Sequence, residues 1–189
     1  PSVAHSVLPK TNVDLVSYSS YEAIKDSKKP NIESIRKPLT EIVNYLEGQL
    51  QPKENLPFTR RVFIGEYGYH ANKDKEMSVK HQYLKSKMVA QVSLELDLPF
   101  TLIWQMYNNE YTDDGISKEM SLIDESGNKR WLYYLHQVYI KRMKYFVAQT
   151  YRKTGEAPTH KEFKNKAIRV LKSLNIFNLE KAIAKLEQQ

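Results

Sequence analysis

Val62-Phe63-Ile64-Gly65-Glu66-Tyr67-Gly68 sets a carboxylate between two glycines directly after three apolar residues. Such a run reads as a strand, over about 60 to 64, that ends in a tight turn with Glu66 at its tip. The flanking glycines permit close backbone approach and positive φ there. A second apolar run, Val13-Asp14-Leu15-Val16-Ser17-Tyr18-Ser19-Ser20-Tyr21, lies upstream, and a third, Phe100-Thr101-Leu102-Ile103-Trp104-Gln105-Met106-Tyr107, lies downstream. All three break into polar and aromatic residues at the carboxyl end. In parallel α/β proteins that is the end of the sheet where sites are built, because loops on a rigid scaffold converge there.

The segments between the runs have helical character. After Pro30-Asn31, the residues Ile32, Ile35, Leu39, Ile42, Val43, Leu46 and Leu50 recur at helical spacing. Pro38 falls inside that pattern and predicts a kink, or a short first turn with the main helix from about 38. Ser78 is the expected cap of a second helix carrying Val79, Tyr83, Leu84, Met88, Val89, Val92 and Leu96 and stopping at Leu98-Pro99. Connections of this length suit parallel pairing and are far too long for hairpins. The strands lack strict alternation, as expected where both faces are covered.

After the third run, Asn108 to Gly115 is a polar, acidic loop, and Leu122 to Lys129 reads as a short strand or turn around Asp124-Glu125-Ser126-Gly127. A long helix is expected from about Trp131 to Arg152, with Leu135, Val138, Tyr139, Met143, Phe146 and Val147 on one face. Thr159 and Glu162 form a capping box for a basic helix to about Leu174. Asn178 is the expected cap of a last helix carrying Leu179, Ile183 and Leu186.

Composition bounds the function. With 189 residues, 41% apolar and 27% charged, the chain suits one ordinary core with a small appendage. It has no run of roughly 20 apolar residues, so no membrane span is expected. It opens at Pro1, which reads as a processed or excised product. Absence of cysteine excludes thiolate chemistry, and the five histidines show no ligand spacing, so neither a metal nor a cofactor is expected. The net charge of +7 is uneven: residues 141–189 hold 12 Lys/Arg against 4 Glu, leaving 17 basic and 18 acidic residues in 1–140. The basic character thus belongs to a C-terminal segment rather than to the candidate site.

Taken together, the three strand ends resemble the last three βα units of a clan A glycoside hydrolase, the retaining TIM-barrel glycosidases that include cellulase-like and mannanase-like enzymes. The resemblance covers roughly residues 8 to 140. Gly65-Glu66-Tyr67-Gly68 matches the setting of the nucleophilic glutamate that ends the family's seventh strand. Ser19-Ser20-Tyr21 matches the His-x-Tyr that ends the sixth strand in many members, with the Tyr kept and the His replaced. Trp104 matches the eighth-strand tryptophan that floors the sugar site, and Leu122 to Asn128 looks like the turn before the family's last helix.

The resemblance implies an α/β fold: a partial (β/α)8 barrel of three parallel units over 1–140, followed by a basic helical tail over 141–189. It implies Glu66 as nucleophile in a double displacement on a β-linked glycan or oligosaccharide, with Tyr21 orienting it and Trp104, Tyr67 and Tyr107 as sugar platforms. The chemistry is compatible: a retaining glycosidase needs an ionised carboxylate at the anomeric carbon and a second carboxyl about 5 to 5.5 Å away. In the family that second group comes from an Asn-Glu pair ending the fourth strand, which would precede Pro1. Asn109-Glu110 follows the wrong strand and is not assigned the role.

An inactive isolated chain is therefore expected, with the remaining barrel units supplied in cis or as another chain. A three-stranded parallel sheet would expose edges and apolar side chains and so favour association. The competing reading is a non-catalytic binding or assembly module whose basic tail contacts an anionic partner. Nucleic acid is the disfavoured version of it. On the bland side, Glu66 would cap a turn, Trp104 would fill a core, Trp131 to Leu135 would be plain helix packing, and the loop acids Glu110, Asp113 and Asp114 would be solvated. Nothing in these residues sets a compartment.

Overall fold

The computed structural model describes residues 3–24, 31–71 and 76–187. Among them are six α-helices and a three-stranded sheet in the order β1-β2-β3, both pairings parallel. The strands are β1 (Val16–Ser19), β2 (Val62–Tyr67) and β3 (Thr101–Ile103). The helices are α1 (Val3–Ser6), α2 (Ile32–Gln49), α3 (Glu76–Glu95), α4 (Trp131–Thr154), α5 (His160–Ser173) and α6 (Ile176–Glu187). The chain forms two compact units: residues 1–68 with 88–104, and 69–87 with 105–189. The break expected at 140/141 falls inside α4, which is continuous across it.

The first unit is a sheet covered on one face. Asn31 caps α2 through its side chain, which accepts from the Glu33 amide at 3.0 Å. Helix α2 then runs unbroken through Pro38 from Ile32, so the late start from about 38 is not found. Pro38 removes one rung of the helical ladder. The stripe Ile35, Leu39, Val43 and Leu46 is buried along the same helix, and packing outweighs the lost hydrogen bond. Val43 and Leu46 pack with Val62 of β2, and Val16, Tyr18, Leu8, Leu50 and Leu98 close around them.

The amino end of β2 is pinned by two side chains. Glu47 of α2 accepts from the amides of Arg61 and Val62, both at 2.7 Å, which ties helix to strand. The Arg61 guanidinium donates to the carbonyls of Val13, Asp14 (3.1 Å) and Gln51 (2.6 Å). One buried cation thus holds together the approach to β1, the end of α2 and the start of β2.

The second unit is mainly helical. Ser78 already lies inside α3, which is under way at Glu76, so it is not that helix's first cap; residues 72–75 lie outside the described set. Asp124 accepts from the amides of Ser126 and Asn128, at 2.9 and 2.8 Å, and closes the expected turn, in which Gly127 takes φ +81°. Gly155, at φ +77°, ends α4 two residues later than expected. The Thr159–Glu162 capping box of α5 is present. Asn175, rather than Asn178, caps α6: its side chain accepts from the Asn178 amide at 2.9 Å. Glu119 and Arg130 form an ion pair with both side chains 8% exposed.

Replacing Arg61 by Met strips three carbonyls of a charged donor. We expect a loss of roughly 2–4 kcal/mol in chemical denaturation, with Arg61→Lys restoring only part because an ammonium lacks the planar fork. An unchanged denaturation midpoint for Arg61→Met would refute the pinning role.

Candidate active site at the carboxyl edge of the sheet

Glu66 does not sit at the tip of a turn. β2 continues through Glu66 to Tyr67, and the site is made by an extra residue within it. Tyr18 pairs with Ile64, yet the next residue of β1, Ser19, pairs with Glu66. On the other side Ile64 pairs with Thr101 and Tyr67 with Ile103, three steps against two. β1 therefore skips Gly65, and β3 meets the same extra residue between Ile64 and Tyr67. This is a one-residue bulge in the central strand, a device that re-aims the side chain following it.

The consequence follows from the period of two along a strand. Val62 and Ile64 are buried on the face that carries the core; without the insertion Glu66 would join them. With it, Glu66 moves to the opposite face and Tyr67 takes the buried phase at 2% exposure. Burial raises the Tyr67 hydroxyl well above the usual phenol range. Tyr67 is thus a core residue and not the open sugar platform expected of it.

Glycine is favoured at the bulge for space. A Cβ at Gly65 would lie 1.8 Å from Ser17 Oγ, 3.1 Å from Ser17 Cβ and 3.3 Å from Phe63 Cε2. Its φ is not left-handed, so the close approach anticipated from the sequence holds and the positive φ does not.

Two hydroxyls from the end of β1 hold the carboxylate. Tyr21 Oη donates to Glu66 Oε1 at 2.6 Å and Ser19 Oγ donates to Oε2 at 3.2 Å. The Ser20 amide and hydroxyl both donate to the Glu66 carbonyl, at 2.9 and 3.2 Å. Each carboxylate oxygen receives one donor and keeps acceptor capacity, so the group is oriented without being saturated. Ser19 and Ser20 entered the sequence reading only as members of the Ser19-Ser20-Tyr21 triplet, with no role assigned. Their signal is position: Ser19 is the last residue of β1 and Ser20 opens the turn that carries Tyr21.

Trp104 follows β3 directly. Its amide donates to the Tyr67 carbonyl at 2.8 Å, which places it beside the strand end that carries Glu66, and its side chain is 38% exposed. The structure therefore brings Glu66, Tyr21 and Trp104 to the carboxyl ends of three adjacent parallel strands. On the face away from α2, Phe100 stacks edge-on against Phe58 and Phe63, at 5.8 and 5.7 Å between centroids. Leu102 remains 51% exposed.

Tyr107 belongs to the second unit, where it bridges Ile123 and is exposed. In the same unit Glu110 pairs with Lys118 at 3.4 Å. Among the described residues no group of three or more His, Cys, Asp or Glu side chains could hold a metal ion, and no helix is long and apolar enough to cross a membrane. The chain matches no family model, no curated protein and no solved structure.

The bulge generates a prediction. Gly65→Ala should cost about 1–3 kcal/mol in equilibrium unfolding, because the new methyl group displaces the Ser17 hydroxyl and crowds the Phe63 ring. Ser17→Ala removes the nearest atom, so the double variant should recover part of that loss in a mutant cycle. Strict additivity of the two substitutions would contradict the proposed contact.

Proposed function

We propose that residues 1–189 carry the nucleophile half of a retaining glycosidase active site and act on a β-linked glycan or oligosaccharide. The observation that carries this reading is the bulged Glu66 carboxylate, held by Tyr21 and Ser19 at the carboxyl edge of a parallel sheet beside a part-exposed Trp104. In the reaction a Glu66 oxygen attacks the anomeric carbon as the glycosidic bond breaks, giving a glycosyl ester. A second carboxyl protonates the departing oxygen, then deprotonates the water that cleaves the ester and frees Glu66. Trp104 offers an apolar face to the C–H surface of a pyranose.

The finer fold assignment, three units of a (β/α)8 barrel, belongs to the same proposal. It is supported by consecutive parallel strands with helices between them, and by the uncovered face formed by Phe58, Phe63, Phe100 and Leu102. β1 and β3 are edges that further strands could extend. On this reading the second carboxyl and the remaining strands come from a segment outside residues 1–189, in cis or on another chain. Glu110, which follows β3 rather than a fourth strand, is not assigned that role.

In the complete protein, assayed for reducing-end release from β-glucans and β-mannans, Glu66→Gln should lower kcat by roughly 10⁴-fold or more with binding retained. Tyr21→Phe, which loses one charge-assisted hydrogen bond, should lower kcat by roughly 10- to 100-fold. Undiminished turnover by Glu66→Gln would remove Glu66 from the mechanism.

A further inference from the structure

Helices α4, α5 and α6 enclose a groove of about 700 Å³ whose chemistry is two-sided. Its floor is aliphatic, with Val138, Val170, Ala182 and Leu186 among the lining residues. Its rim is cationic: Lys141 and Arg142 from α4, Lys166 and Arg169 from α5, and Lys185 from α6. None of the described residues lining it is acidic. The cations are also directed by the fold. Arg142 donates to Ser173 Oγ at 3.1 Å, and the Lys166 ammonium sits 5.6 Å from the Phe146 ring centroid.

Like charges gathered from three helices around an apolar trough repel one another, and nothing in the groove's own chemistry offsets them. A complementary occupant must supply carboxylates at the edges and apolar side chains at the centre. From these features we infer that the groove is a docking site for an acidic amphipathic helix of a protein partner, its apolar stripe on Val138, Val170 and Leu186 and its carboxylates on the five cations. Helix-in-groove recognition uses this division, with buried apolar anchors and a charged rim.

Two other anionic surfaces fit less well. Single-stranded nucleic acid binds through aromatic platforms and backbone-tracking cations. Here the described lining residues include two aromatics, Phe146, whose ring already carries Lys166, and the exposed Tyr145, too few to stack a run of bases over an otherwise aliphatic floor. A lipid surface calls for an apolar helix face that can lie in the interface plane, whereas this apolar surface is recessed between three helices.

The test uses the full chain, three fluorescent probes and, in a separate arm, phosphatidylserine vesicles. The first is a synthetic helix of about 20 residues with Leu at i, i+3, i+4 and i+7 and Glu on its flanks; the second is the same composition scrambled; the third is a thymidine oligonucleotide of about the same length. The amphipathic helix should bind about tenfold or more tightly than its scramble, because only it presents stripe and charge together. Arg169→Glu and Lys185→Glu, both at exposed positions, should each weaken it about tenfold, and Ala182→Trp should block it by filling the floor. Equal affinity for helix and scramble, indifference to Ala182→Trp, tighter binding of the oligonucleotide, or preferential binding to phosphatidylserine vesicles would each overturn the inference.

Discussion

A single inserted residue in the central strand governs the site. The amino end of β2 is fixed in register, Val16 against Val62 and Ser17 against Phe63, and is clamped by Glu47 and Arg61. A residue added beyond that point cannot be absorbed by sliding the strand, since a slip of one position would invert every side chain. It is taken up locally at Gly65, and the rest of the strand changes phase. Tyr67 turns into the core and Glu66 turns out of it, toward the hydroxyls of Ser19 and Tyr21. Glycine suits the position, because any Cβ there would force the Ser17 hydroxyl to move and would crowd Ser17 Cβ and the Phe63 ring.

That phase change links packing to chemistry. The face carrying Val62 and Ile64 is filled by α2, and the helix tolerates an internal proline because its apolar stripe is anchored there. The opposite face carries Ser17, Phe63, Glu66 and Leu102, and is neither a finished core nor an ordinary polar surface. Phe58 and Phe63 each meet Phe100 edge-on, while Leu102 stays half exposed. Apolar side chains together with a clamped carboxylate fit the lining of an enclosed hollow better than an open sheet. This mismatch motivates the proposal that further strands complete the site.

The sequence carried the element order and the parallel sheet plainly, because long apolar runs separated by amphipathic stretches allow little else. The pairing of Tyr21 with Glu66 was also legible, since both close adjacent parallel strands. The bulge was not: Gly-Glu-aromatic-Gly after three apolar residues reads as a strand ending in a turn, and only the register of both neighbouring strands exposes the extra residue. Tyr67 was misplaced for the same reason, as its burial depends on the phase that Gly65 resets. Pro38 and Asn178 mislead in the ordinary way. Local signals allow a late helix start at the one and a cap at the other, whereas packing of the Ile35–Leu46 stripe and the earlier Asn175 side chain decide the outcome. The boundary at 141 was drawn on charge alone, and charge is blind to the apolar periodicity that carries α4 across it.

The central claim is that the Glu66 carboxylate becomes covalently bonded to sugar. Dinitrophenyl 2-deoxy-2-fluoro-β-glycosides isolate that step, since the leaving group departs without acid assistance while the fluorine slows breakdown of the ester. Mass spectrometry of the complete protein after incubation with these reagents should show one added glycosyl group, mapped by peptide digestion to Glu66 and absent from the Glu66→Gln variant. A label on a different carboxylate, or no label from reagents that the protein demonstrably binds, would contradict the account.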